Sequence, residues 1–311
     1  MKRPRPTSTR RISYSIADLA FAITSPDRSV KLKLDEPAAR FACRASAPDV
    51  RLETRWCDLS DGAITGRKLF DPGASWQLYE SNSDYLFAFF SPSTGNAAYK
   101  AARMKPDLRR GQILLDPQFF DADEPQFPLD YPLDEVLLVS LLSRGRGAQL
   151  HACGLIDGLG NGYLFAGHSG AGKSTIAAIL KLVPGVTILS DDRIAVRMKD
   201  GQPWIYGTPW HGDAGLASPA SAPLHTIFFL AKDTANGLIP LPEALVVGRL
   251  FACSFPPFFD PEGVEFVLQF FDELRRTVPS YELRFRPDME IAHFFENVIV
   301  STPHFRLTAH A

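Results

Sequence analysis

The stretch Gly167-His168-Ser169-Gly170-Ala171-Gly172-Lys173-Ser174-Thr175 fits the pattern G-x-x-x-x-G-K-[ST], with Gly170 as a further glycine inside it. Glycines let a backbone curl until successive N–H groups point inward at phosphate oxygens, and the positive end of a following helix strengthens that field. Lys173 adds a mobile positive charge for β- and γ-phosphates, and Ser174 a hydroxyl for the Mg²⁺ that accompanies them. All nine residues from Gly167 to Thr175 are therefore candidates for contact with a nucleotide. Downstream, Ser190-Asp191-Asp192 closes the β-rich run Val186-Thr187-Ile188-Leu189. A carboxylate at the end of a strand beside a phosphate loop can hold Mg²⁺ or accept a proton, and two adjacent ones can divide those roles. Upstream, His151 lies in the strand-like run Leu150 to Ile156, close to where the loop should be. A fourth candidate is the turn-forming segment Gly207-Thr208-Pro209-Trp210-His211-Gly212-Asp213, whose His211 and Asp213 could touch a substrate.

These residues need elements to hold them. Tyr163-Leu164-Phe165-Ala166 reads as an apolar strand running into the glycine loop, and Thr175 to Val183 as an apolar helix stopped by Pro184-Gly185. Asp157 to Gly162 reads as a tight turn, so a hairpin should carry His151 back beside that strand. Further strands are expected at Ile194 to Val196, Trp204 to Tyr206 and Ile227 to Leu230, where Lys232-Asp233 reads simply as a strand end. Helices are expected around Arg249, after the cap Asp260-Pro261-Glu262 with Val264, Val267, Leu268, Phe271 and Leu274 on one face, and from Asp288.

The earlier half has another character. Val50, Leu52, Thr54 and Trp56 alternate with Arg51, Glu53 and Arg55, a half-buried strand. Leu86 to Phe90 and Ile113 to Leu115 add strands, with turn residues at Thr94-Gly95-Asn96, so an antiparallel β domain is expected. The organisation read from these signals is a disordered basic tail (1–13), a β-rich N-terminal domain (14–120), a linker and helix (121–148) and a P-loop catalytic domain (149–311).

Composition sets limits. The 311 residues are 45% hydrophobic and 22% charged, an ordinary globular balance able to bury a core. With 33 Lys+Arg against 35 Asp+Glu the net charge is −2, so no global basic field exists for nucleic acid or an anionic membrane. Four scattered cysteines suggest reduced thiols, and no apolar run reaches the roughly 20 residues of a membrane span. A cytoplasmic protein is expected, with no membrane or nucleic-acid partner and with homo-oligomerisation left open.

From about Leu150 to Asp213 the chain resembles the catalytic domain of the HPr kinase/phosphorylase family, itself related to the nucleotide site of ATP-dependent phosphoenolpyruvate carboxykinase. The shared pattern is the histidine-bearing strand Leu150-His151, a hairpin, the loop Gly167 to Thr175, and the strand ending Ser190-Asp191-Asp192. The resemblance implies an α/β fold with this catalytic domain beside the β-rich one. It also implies an ATP- and Mg²⁺-dependent transfer of phosphate to a hydroxyl, most simply a serine of a protein or peptide. Lys173 would contact phosphates, Ser174 the metal, Asp191 would be the base and Asp192 would lie nearer the metal, with the two aspartates exchangeable. His151 falls where these families place an active-site or metal-binding histidine. Thr175 stands where the HPr kinases carry an acidic residue, a departure from that family's pattern. A small-metabolite acceptor, or a nucleotide-responsive binding module without transfer, are the other readings of the same residues.

Overall fold

The computed structural model divides into two compact units, 1–141 and 142–311. It describes residues 10–300 except 27, 28, 61 and 74, and of 298–300 the backbone only. Residues 1–9 of the basic stretch thus lie outside the described residues. Strand β1 (Arg11–Ile16) begins within the segment 1–13 whose charge suggests a tail, so residues 11–13 are sheet.

The first unit is built on an eight-stranded sheet in the order β1-β2-β3-β8-β7-β6-β5-β4. Its remaining strands are β2 (Leu19–Thr24), β3 (Val50–Trp56), β4 (Arg67–Phe70), β5 (Trp76–Ser81), β6 (Asp84–Phe89), β7 (Lys100–Met104) and β8 (Arg110–Leu115). Ala17-Asp18 and Asn82-Ser83 make two-residue hairpin turns with positive φ throughout, the geometry whose twist matches that of the strands it joins. The expected antiparallel domain needs correction, because β3 runs parallel to both β2 and β8. Alternation in β3 does place Val50, Leu52 and Thr54 inside and Arg51, Glu53 and Arg55 outside. That pattern decides which face a residue takes and is silent on the direction of the neighbouring strand. Phe21, Ile23, Leu52, Phe87, Phe89 and Ile113 are buried on one face. Lys100 is buried with them, ion-paired with Asp130 and lying 5.1 Å from the Phe89 ring centre. The division between units falls at the end of α1 (Leu133–Leu142).

The second unit carries β9 (Gly147–Ile156), β10 (Gly162–Ala166), α2 (Lys173–Leu180), β11 (Thr187–Ser190), β12 (Arg193–Lys199), β13 (Gln202–Tyr206) and β14 (Ser221–Lys232). After these come β15 (Gly237–Pro240), α3 (Glu243–Ala252), α4 (Pro261–Thr277), β16 (Ser280–Phe285) and α5 (Glu290–Phe294). Its sheet runs β10-β9-β12-β13-β14-β16-β15, with β11 also on β9, and β10 pairs in parallel with β14. Those pairings close β9, β12, β13, β14 and β10 into a ring. One core joins Leu150, Ile194, Ile205 and Ile227 to Phe271 and Leu274 of α4, and a second joins Leu155, Phe165 and Phe228 to Ile176 of α2 and Ile291 of α5. Asp260 caps α4 by accepting from the Gly263 N–H at 3.1 Å, with Pro261 following. The buried stripe of α4 is Val267, Phe270, Phe271 and Leu274; Leu268, expected on it, is 40% exposed. Among the described residues no helix is long and apolar enough to cross a membrane, and all four cysteines are free.

Candidate active site

Strand β9 organises the site. Its Ala152 pairs with Ala166 at the end of β10, where the glycine loop begins, and its His151 pairs with Arg193 at the start of β12. The hairpin turn that makes this possible is held by Asp157, whose carboxylate accepts from the N–H groups of Leu159 and Asn161 and from the Tyr163 hydroxyl. The loop 167–172, the turn 190–193 and the start of α2 thereby converge on one end of the sheet.

Helix α2 starts at Lys173 with Gly172 as its cap residue, at φ 104° and with no side-chain cap bond. Its first N–H groups are left to whatever sits in front of the helix. Only glycine suits position 172: its φ is left-handed, and a Cβ there would lie 2.5 Å from the Phe285 ring. The Lys173 side chain is 6% exposed and donates from Nζ to the carbonyls of Gly167 (2.9 Å) and His168 (3.0 Å). Burial lowers its pKa, while the charge of Asp192 pulls the other way.

The two aspartates have different surroundings. Asp191 is 1% exposed and accepts three backbone N–H bonds, from Gly212 (3.0 Å), Ala214 (3.0 Å) and Leu216 (3.2 Å). It fixes the loop after β13. Asp192 instead faces a cavity, with Oδ1 accepting from His151 Nε2 at 3.1 Å and Oδ2 from Arg193 Nη1 at 2.8 Å. The His151 hydrogen bond holds its carboxyl below the usual range; burial opposes, and Arg193 adds to the lowering. Ser190 sets the turn: its Oγ donates to the Trp210 carbonyl and accepts from the N–H groups of Asp192 and Arg193.

The cavity has a volume of about 270 Å³ and is walled by His151, loop and helix residues Ser169, Gly170, Gly172, Lys173, Ser174 and Thr175, and by Asp192, Gly212, Asp213 and Lys232. Among the candidates, Gly167, Ala171 and Asp191 stand behind this wall, and His168 and His211 are exposed away from it, each ring bonded to the next residue's carbonyl. Arg249 is bonded to Glu282 at 2.9 Å and is not part of the site. Lys232 is the addition that the sequence alone did not suggest: as the last residue of β14 it reads as a strand end, yet the parallel pairing of β14 with β10 carries it to the glycine loop. Gly212 marks the closest approach. A Cβ there would lie 2.8 Å from Asp191 Oδ2, 3.1 Å from Ser174 Oγ and 3.4 Å from Asp192 Cβ.

Two lysines, the start of a helix and a loop of N–H groups make a wall suited to a polyanion. Ser174 and Asp192 bring side-chain oxygens to the cavity wall that could hold a cation, and no group of three or more His, Cys, Asp or Glu among the described residues could cage a metal alone. That donor set fits Mg²⁺, which takes one or two protein oxygens and completes its shell with phosphate and water.

No protein-family model and no curated protein matches the chain. Among solved structures it is similar to the Hpr(Ser) kinase/phosphatase from Coxiella burnetii, at 15% identity and a TM-score of 0.29, over 49% of this chain and 88% of that one.

Proposed function

We propose that the chain is an ATP-dependent kinase that transfers the γ-phosphate to a hydroxyl, the acceptor being a serine of a protein or peptide. The observation that carries this reading is the convergence of Lys173, Ser174, Asp192 and His151 on one cavity in front of α2. Phosphoryl transfer needs little covalent help from a protein; it needs the reactants in line and the developing charge neutralised. The loop N–H groups, Lys173 and Lys232 hold the triphosphate. Ser174 would hold Mg²⁺, which would supply further charge neutralisation at the phosphates.

Asp192 is the base. Its carboxylate is on the cavity wall and kept ionised by His151 and Arg193, so it can accept the acceptor hydroxyl's proton as that oxygen bonds to the γ-phosphorus and the bond to ADP breaks. His151 orients that carboxylate, a different part from the metal ligand that its position in the resembling families implies. Asp191, with both oxygens on amides of 212–216, secures the loop that forms the opposite wall. Asp213 lies at the cavity wall, exposed and within reach of an incoming acceptor.

The test is transfer from γ-labelled ATP with Mg²⁺ into a cell lysate, for wild type and Lys173→Ala. A labelled protein or peptide that disappears with the variant supports the kinase and identifies the acceptor class; label confined to a small molecule replaces the peptide by a metabolite. ATP binding with neither transfer nor hydrolysis would leave a nucleotide-responsive module and end the kinase reading.

A further inference from the structure

The outer face of the first unit's sheet holds a cavity of about 610 Å³, lined by no residue of the candidate active site. Arg11, Arg51, Arg103, Lys105 and Arg110 line it, with only Glu53 and Asp84 as acids. Both acids are already engaged, Glu53 with Arg55 at 3.3 Å and Asp84 with Lys105 at 3.0 Å. Arg51, Arg103 and Arg110 have no carboxylate partner among the described residues. The register makes this costly: Arg51 on β3 is the direct parallel neighbour of Arg110 on β8, and like charges side by side on one face destabilise a sheet. Arg103 stands on the next strand, level with Gln112 of β8. A chain of net charge −2 therefore keeps an uncompensated positive strip on a concave sheet face.

From this we infer that the face formed by β1, β2, β3, β8 and β7 is a docking groove for an acidic segment of a peptide or protein. The cavity crosses five neighbouring strands, about 19 Å at the usual spacing, which an extended peptide covers with roughly six residues, and the three unmatched arginines stand on β3, β8 and β7 within it. A single phosphate would meet one or two of these cations and leave the rest unrelieved. Single-stranded nucleic acid binds on aromatic stacking platforms, and this lining has no aromatic side chain. It offers Thr24, Ser46 and Gln112 beside the cations, groups that suit a peptide backbone. The groove is independent of the phosphoryl-transfer reading, since it involves no residue of that site.

The experiment is fluorescence anisotropy of fluorescein-labelled hexaglutamate with the full chain, at about 50 mM and about 200 mM salt, where screening differs. Saturable binding is expected, weaker at the higher salt. Arg51→Gln/Arg110→Gln should weaken it by about tenfold or more, the scale of losing two cations that face the bound anion. Arg40→Gln/Arg67→Gln removes equal charge from surface pairs with Glu36 and Glu80 and should leave affinity within about twofold. All four side chains are exposed, and an unchanged melting curve verifies folding in each variant. The inference is overturned by the absence of saturable binding, by equal weakening in the two double variants, by full displacement with millimolar inorganic phosphate, or by an oligothymidylate that competes better than unlabelled hexaglutamate.

Discussion

Both units carry charged side chains on an eight-stranded sheet, and they place them in opposite ways. In the second unit the site's charges gather where strand ends meet the start of α2, and three of them are matched. Lys173 rests on two carbonyls, Asp191 on three amides, and Asp192 between His151 and Arg193. In the first unit Arg51, Arg103 and Arg110 stand within or at the start of strands on an open face, without carboxylate partners among the described residues. Matched charges at converging strand ends have one geometry, which is what moving a proton or a phosphoryl group needs. Unmatched charges spread over a face act by their sum, which suits recognition and is sensitive to salt.

The sharpest way to break this comparison is Lys173→Ala. Transfer should fall on the order of a thousandfold, as when a preorganised charge is removed from a developing anion, while hexaglutamate binding stays unchanged. A variant that loses both, by labelled-ATP transfer and by anisotropy, would join the two regions into one site. The aspartate pair comes next. Asp192→Asn should lower kcat by about 10² to 10⁴, the range for a general base, with a melting temperature near wild type. Asp191→Asn should cost about 1–3 kcal/mol of stability instead, because amides of 212–216 lose a charged acceptor. Chemical denaturation and single-turnover kinetics separate the two; the reverse pattern would return the base to Asp191.

Smaller effects sharpen the nucleotide half. Gly212→Ala pushes a methyl between Ser174 and a carboxylate that three amides hold in place, so the carboxylate does not yield cheaply and the Ser174 hydroxyl is displaced. About a tenfold loss of kcat/KM is expected, with a stable fold. Lys232→Ala should raise KM for ATP several-fold and change kcat less, as expected if this cavity-lining lysine binds the phosphates in the ground state as well as in transfer. A kcat loss larger than the KM rise would move Lys232 into the transition state.

What could be read from the sequence follows from which contacts are local. The run Gly167 to Thr175, its strand and its helix lie within about twenty residues, and the residue types alone indicate phosphate. His151 was legible because a short hairpin returns it beside that strand. The different surroundings of Asp191 and Asp192 were not: the amides that occupy Asp191 come from 212, 214 and 216, a long way along the chain, so the pair looks symmetrical in sequence. Lys232 was hidden for a similar reason, as the β10–β14 pairing joins segments some sixty residues apart. In the first unit alternation exposed Arg51 and Glu53 correctly, yet nothing local announces that β3 lies parallel between β2 and β8. Without that register, Arg51 and Arg110 are two unrelated arginines.

The smallest effect concerns a carboxylate that the first unit keeps neutral, the converse of Asp192. Asp134, near the start of α1, is 4% exposed, and burial with the neighbouring charge of Asp130 pushes its pKa up to about 8. In an unfolded chain an aspartate titrates near about 3.9. Between roughly pH 4 and pH 8 the native chain therefore holds a proton that the unfolded chain has released, and stability falls as pH rises through that window. Above about pH 8 both states are ionised at this residue and its slope vanishes. Asp134→Asn removes the titration and keeps the shape. Its melting temperature should decline less than that of wild type between pH 5 and pH 8, with the gap widest at the alkaline end, by a few degrees. Parallel melting curves across that range would mean that Asp134 ionises over the same pH range in the native chain as in the unfolded one, and that burial does not keep it neutral.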